Sequence, residues 1–228
     1  MVNKVLNIMS NNMYPQFKSW EQLLHDTNDF FHWDRLLKED YQLQYEKAMK
    51  YVKVKDYKRA GEEFYNAAIL AERKKKRDLS EFFSFSAWES ALWYGNPEPL
   101  IGFTQEIYQI HHDTWPVWIE KKFGICAVAY LVQADSSKDR HEALTLYKIS
   151  GWFLSLYFEK TGDFKNYEKE WIYYVMYGYC IYQIKNSKAF ISFYFDMCRN
   201  VPERYCDMVR EKWKELGLGD WLRKELNI

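Results

Sequence analysis

Between Tyr41 and Arg73 small and bulky side chains fall at the spacing of a two-helix unit. Ala48, Ala60 and Ala67 let two helices approach closely, while Tyr51, Tyr57 and Phe64 fill the seam between them. The pattern is interrupted at Lys55-Asp56, and Asp56 stands where its carboxylate can accept from the free amides of a following first turn. The segment therefore reads as helices over Tyr41 to Val54 and Tyr57 to Arg77.

The rest of the chain carries few signals for anything else. Nine Gly and five Pro in 228 residues are too few for a turn-rich all-β fold and favour long helices with short links. No Pro/Gly/Ser-rich stretch divides the chain, so one domain over 1–228 is expected. Lys and Arg together number 32, as do Asp and Glu, so no global field draws the protein to nucleic acid or to an acidic membrane surface. Aromatic residues make up 19% of the chain, and such side chains pack thick helix seams or line recognition surfaces. Cys126, Cys180, Cys198 and Cys206 show no C-x-x-C spacing and read as small hydrophobes. Met1 to Asn12 is too interrupted for a secretory leader, and no apolar run reaches the length of a membrane span. No membrane association and a reducing, cytoplasmic setting are expected.

Helical periodicity continues almost throughout. An N-terminal helix is expected over Phe17 to Lys38, then helices over Leu79 to Tyr94 and Pro97 to His112. Gly95-Asn96-Pro97 supplies the stop and the restart, because Gly enters the left-handed region and Pro is tolerated in a first turn. Pro116 opens a helix to about Ala134, and Asp139 to Phe158 forms another. Gly162-Asp163-Phe164 repeats the earlier punctuation, and the next helix carries Tyr167, Trp171 and Tyr174 in register with Ala60, Phe64 and Ala67. Ala143, Tyr147 and Ser150 form a third echo. Helices over Lys188 to Asn200, Pro202 to Leu216 and Asp220 to Leu226 complete the chain, with Gly217 and Gly219 bracketing a turn.

The unit at Tyr41 to Arg73 resembles the tetratricopeptide repeat, a helix-turn-helix of about 34 residues. The first-helix Trp, Leu and Gly positions of that family are missing, with Gln44 and Lys47 in two of them, and the echoes at 83 and 107 residues are not multiples of the repeat. The resemblance implies an all-α, right-handed stack of antiparallel helical hairpins, about ten helices in all: an N-terminal helix in 1–40, helical pairs in 41–200 and capping helices in 201–228. It further implies a concave groove lined by the first helix of the unit. By residue match the groove positions are Gln42, Tyr45, Met49 and Lys53, a mixture suited to an extended peptide or a partner helix. The other outcome is that these residues pack on the Phe17 to Lys38 helix.

Several constellations compete with that reading. His25, Asp29 and His32 recur at i, i+4 and i+7, a spacing that sets two imidazoles and a carboxylate on one helix face as a divalent metal requires. That face lies opposite the Trp20, Leu24 and Phe31 stripe, so a solvated polar face is expected there. His111-His112-Asp113 reads as a helix end, and Trp115 and Trp118 as residues that line or seal a cleft. The run Arg73-Lys74-Lys75-Lys76-Arg77 has the charge to hold phosphates, with Phe82, Phe83 and Phe85 near enough in sequence to stack on bases; the plainer reading is a solvated helix C-terminus and a set of core rings. Glu62 with Glu63, and Glu168 with Glu170, do not converge on a helix and read as surface carboxylates. No phosphate-binding glycine loop, nucleophile elbow or H-E-x-x-H is present. The expectation is a scaffold that binds a protein or peptide, without a cofactor or chemistry of its own. Its rivals are a nucleic-acid-associated protein using the basic run and a metal-dependent enzyme using the histidine face.

Overall fold

The computed structural model describes residues 40–109, 120, 122–162, 164–165 and 167–226, and among these it is entirely helical. Ten helices follow one another: α1 (Asp40–Lys53), α2 (Tyr57–Arg73), α3 (Arg77–Trp93), α4 (Glu98–Gln109), α5 (Phe123–Ser136), α6 (Arg140–Thr161), α7 (Tyr167–Gln183), α8 (Ser187–Asn200), α9 (Glu203–Glu215) and α10 (Gly219–Leu226). The described residues group into two compact units that divide within α4, after Leu100.

Five of the links between helices share one geometry. In each, a residue with positive φ ends the helix: Lys55, Lys75, Gly95, Lys185 and Gly217. Its amide bonds the carbonyl three residues back, and the next amide reaches five residues back, as in Lys55 to Val52 at 2.9 Å and Asp56 to Tyr51 at 3.0 Å. This pairing satisfies carbonyls that a helix end otherwise leaves open. The second residue of the link then starts the next helix. Asp56 accepts from the Arg59 amide at 3.2 Å and Asn186 from Ala189 at 3.1 Å.

The expected boundary at Arg77 moves for this reason. Lys75, with φ of 57°, ends α2 inside the basic run, so Arg73 closes α2 and Arg77 opens α3.

In the first unit α2 packs against both α1 and α3. Ala48, Ala60 and Ala67 are fully buried, as the spacing predicts, and so is Ala71. The rings that fill the seam are Tyr41, Tyr45, Phe64 and Phe83: Tyr45 lies 5.5 Å from both Phe64 and Phe83, and Tyr41 6.1 Å from Phe83. Phe83 belongs to α3, so rings from α1, α2 and α3 meet in one cluster. Tyr51, expected in the seam, packs at its edge.

The second unit is built around α5 and α7, which are buried on nearly every side and are therefore apolar all round rather than striped. α6 packs on both, and α7 also carries α8 and α9. Two glycines set the closest approaches. A Cβ on Gly124 of α5 would stand 2.7 Å from the Tyr173 hydroxyl of α7, and one on Gly178 of α7 2.7 Å from the Trp213 indole nitrogen of α9. The Trp213 indole N–H donates to the Val175 carbonyl at 2.9 Å, so a wholly buried ring keeps its polar atom satisfied. Trp221 of α10 meets Phe190 at 4.5 Å and Tyr182 at 5.1 Å, placing the final helix over the α7 and α8 end.

A lysine in the left-handed region costs more than a glycine there, by about 0.5–1 kcal/mol after the entropy of glycine is set against it. Lys55→Gly is expected to raise the denaturant midpoint at unchanged slope, whereas Lys53→Gly, two residues earlier within α1, lowers it. Lys185→Gly gains less, because the Lys185 ammonium lies 3.6 Å from the Tyr182 ring centroid and that contact is lost.

Candidate functional site

Of the four groove positions, three lie wholly or partly inside the packing of α1 and Lys53 does not. Tyr45 is buried in the aromatic cluster, and Met49 is half-buried against it. Gln42 is half-buried and donates to Glu46 at 3.0 Å, while Lys53 is exposed. Lys53 therefore faces solvent, whereas Tyr45 belongs to the core of its unit. The exposed stripe of α1 holds Leu43, Glu46, Lys47 and Lys50, and Val54 follows in the turn after the helix. Leu43 is 57% and Val54 71% exposed, large values for apolar side chains. Lys47 pairs with Glu63 of α2, and that hydrogen-bonded ion pair raises the lysine pKa. Leu43, Lys50 and Val54 thus face solvent, while the Lys47 charge is held by Glu63.

The basic run forms the tip of the α2–α3 hairpin. All five side chains from Arg73 to Arg77 are exposed around the Lys75 turn, and Arg77 pairs with Glu81 at 2.9 Å. Phe83 and Phe85 are fully buried and Phe82 packs against the same core, so these rings line no base-stacking surface. His25, Asp29 and His32 lie outside the described residues, as do His111, His112, Asp113, Trp115 and Trp118. Among the described residues no three His, Cys, Asp or Glu side chains gather as a metal site would need, and no helix is long and apolar enough to cross a membrane.

One buried carboxylate, Glu170, corrects the surface reading of acidic residues, and the half-buried Asp135 likewise binds tyrosines. Glu170 of α7, expected at the surface, is 5% exposed and accepts from the Tyr157 hydroxyl of α6 at 3.0 Å. Burial, and then the Glu170 charge, push the Tyr157 phenol well above its usual range. Asp135, near the end of α5, ties three helices together. Its Oδ1 accepts from Tyr147 of α6 at 2.5 Å and from Tyr179 of α7 at 3.1 Å. Burial raises the Asp135 pKa, and the two phenols, donating to it, hold back part of that rise. Both phenols are in turn pushed upward, first by burial and then by the Asp135 carboxylate, so they stay protonated and serve as donors.

Next to this cluster the Ser150 hydroxyl donates to the Ala127 carbonyl at 2.8 Å, and the Cys180 thiol donates to Ser150 at 3.4 Å. Burial pushes the Cys180 thiol up to about 12, so it is inert as a nucleophile at neutral pH. The arrangement does structural work: Asp135 Oδ1, Ser150 and Cys180 are spent on joining α5, α6 and α7, while the Asp135 Oδ2 is buried without a hydrogen-bond partner. Tyr147 and Ser150 were legible as an echo of the Phe64 and Ala67 positions. Asp135 carried no such signal, because an acidic residue near a helix end is ordinarily solvated. No family model, curated relative or solved structure matches this chain.

Tyr147→Phe or Tyr179→Phe leaves Asp135 with one donor fewer and is expected to cost about 1–3 kcal/mol in denaturant unfolding. The pH dependence has a definite sign. The folded carboxyl titrates above its ordinary 3.8, so its contribution to stability is fully present below that value and is lost as pH rises through the folded pKa. Asp135→Asn, measured by unfolding between about pH 4 and pH 7, is therefore expected to remove this part of the decline.

Proposed function

We propose that the chain is a non-catalytic helical scaffold, a stack of antiparallel hairpins similar to tetratricopeptide repeats, that holds a protein or peptide partner. The observation that carries the reading is the outward stripe of α1. Leu43 of α1 and Val54 in the turn after it project into solvent, with Lys50 and the Glu63-paired Lys47 between them in the chain. A partner helix or extended segment with two apolar anchors about three turns apart and acidic residues between them complements this face. The three-helix packing of the first unit supports the stacking part, since Phe83 of α3 reaches Tyr41 and Tyr45 of α1 as a following repeat would. The use of buried ionisable groups supports the non-catalytic part: Asp135 and Glu170 accept from tyrosines that join helices.

A second reading draws on the Arg73 to Arg77 tip, where five exposed cations surround one turn. In it the partner is a nucleic acid held through its phosphates, and affinity falls steeply with salt.

Photo-reactive residues placed at 43 and 54 are expected to cross-link one and the same partner in extracts of the native host. Leu43→Asp with Val54→Asp then lowers that partner's affinity at least 10-fold, because each buried anchor is worth about 1–2 kcal/mol or more. Retained affinity in the double variant contradicts the reading. Neutralising the five residues of the tip separates the two proposals: it leaves peptide binding in place but abolishes low-salt binding of an oligonucleotide if the second holds.

A further inference from the structure

The exposed side of α1 is polarised along its length. Asp40 stands in the first turn and Glu46 near the middle, whereas Lys50 and Lys53 occupy the last turn. Leu43 lies between the two carboxylates, and Val54 follows the lysines in the turn after the helix. All six side chains are exposed. An apolar side chain thus stands in each half, beside acids in the first and beside lysines in the second. Acids at the start of a helix and bases at its end also suit the macrodipole, so the polarity by itself names no partner. The order of the residues does, because the row read backwards is its own complement.

Turned end to end about a two-fold axis level with Ala48, Glu46 of one copy would meet Lys50 of the other, and Leu43 would meet Val54. Each pairing then occurs twice, as an isologous contact requires. A parallel pair would instead set Glu46 beside Glu46 and Lys50 beside Lys50, like charges that repel. Lys47, the cation nearest the axis, is already held by Glu63 of α2, so it adds little uncompensated charge at the centre.

We propose that α1 pairs antiparallel with α1 of a second copy of this chain. The proposal rests on the reading that the exposed side of α1 is a docking face, and it names the occupant as the chain itself. Covering Leu43 and Val54, 57% and 71% exposed, supplies the attraction. The two pairs of Glu46 with Lys50 set direction and register. One helix laid on one helix is a small interface, so the association is weak, and it falls as salt screens the exposed pairs.

The test is sedimentation equilibrium of the full chain, up to about 1 mM protein at low salt. A monomer–dimer equilibrium is expected, weakened at about 0.5 M salt. Glu46→Lys alone and Lys50→Glu alone are each expected to weaken it about 10-fold, because two attractive pairs become two repulsive ones. An equimolar mixture of the two variants restores it, since one copy then carries lysine at both positions and the other glutamate. The double variant restores it by itself. Both residues are exposed, and unchanged helical circular dichroism checks that each variant is folded. Association that neither swap weakens, or that mixing does not restore, overturns the proposal. A chain that stays monomeric throughout overturns it too. In that case a photo-reactive residue at position 43 separates the two ideas: capture of a different protein leaves the docking face standing and removes only the self-pairing, whereas no capture removes both.

Discussion

The Trp213 indole seated on Gly178, with its N–H bonded to the Val175 carbonyl, is the interaction on which the second unit most depends. A tryptophan fits between two helices only if the facing helix gives up a side chain at the point of contact. Gly178 does so, and the ring then reaches the backbone closely enough to donate to it. Gly124 plays the same part for Tyr173 between α5 and α7. Alanine serves in the first unit, where Ala48, Ala60 and Ala67 make room for Tyr45, Phe64 and Phe83. Removing a buried ring of this size leaves a cavity whose cost is about 3–5 kcal/mol, a large share of the stability of an ordinary domain.

Filling seams with tyrosine has a polar consequence. Each buried hydroxyl needs an acceptor, and hydroxyls from different helices find shared ones: Asp135 takes two, Glu170 takes one, and Thr104 of α4 pairs with Tyr130 of α5 at 2.8 Å. The acidic residues drawn inside are thereby committed to holding helices in place. On the outer surface Leu43 and Val54 face water and the α2–α3 tip concentrates positive charge.

The fold was legible in the sequence where residues act locally. Asp56 caps α2 and Gly95 turns the chain before Pro97, because a carboxylate at a first turn and a glycine at a helix end each have one physical use. The spacing of Ala48, Ala60, Phe64 and Ala67 marked the first seam correctly. Lys75 was invisible as a turn, since lysine has no preference for positive φ and is held there by the hydrogen bonds of the link. Glu170 was misread because α7 is buried all round, so helical periodicity no longer tells inside from outside. Tyr45 was ambiguous for a related reason: it suits a groove and a core equally, and packing on Phe64 and Phe83 decides between them.

A double-mutant cycle at positions 178 and 213 tests most directly whether aromatic rings seated on side-chain-free helix positions hold the unit together. Gly178→Ala in the wild type drives a methyl group into the indole and is expected to cost about 1–3 kcal/mol in denaturant unfolding. In a Trp213→Leu background the methyl meets space the ring has vacated, so the same substitution becomes nearly neutral or stabilising, a coupling of at least about 1 kcal/mol. Equal costs in the two backgrounds would show that the ring does not rest on Gly178 and would contradict the account.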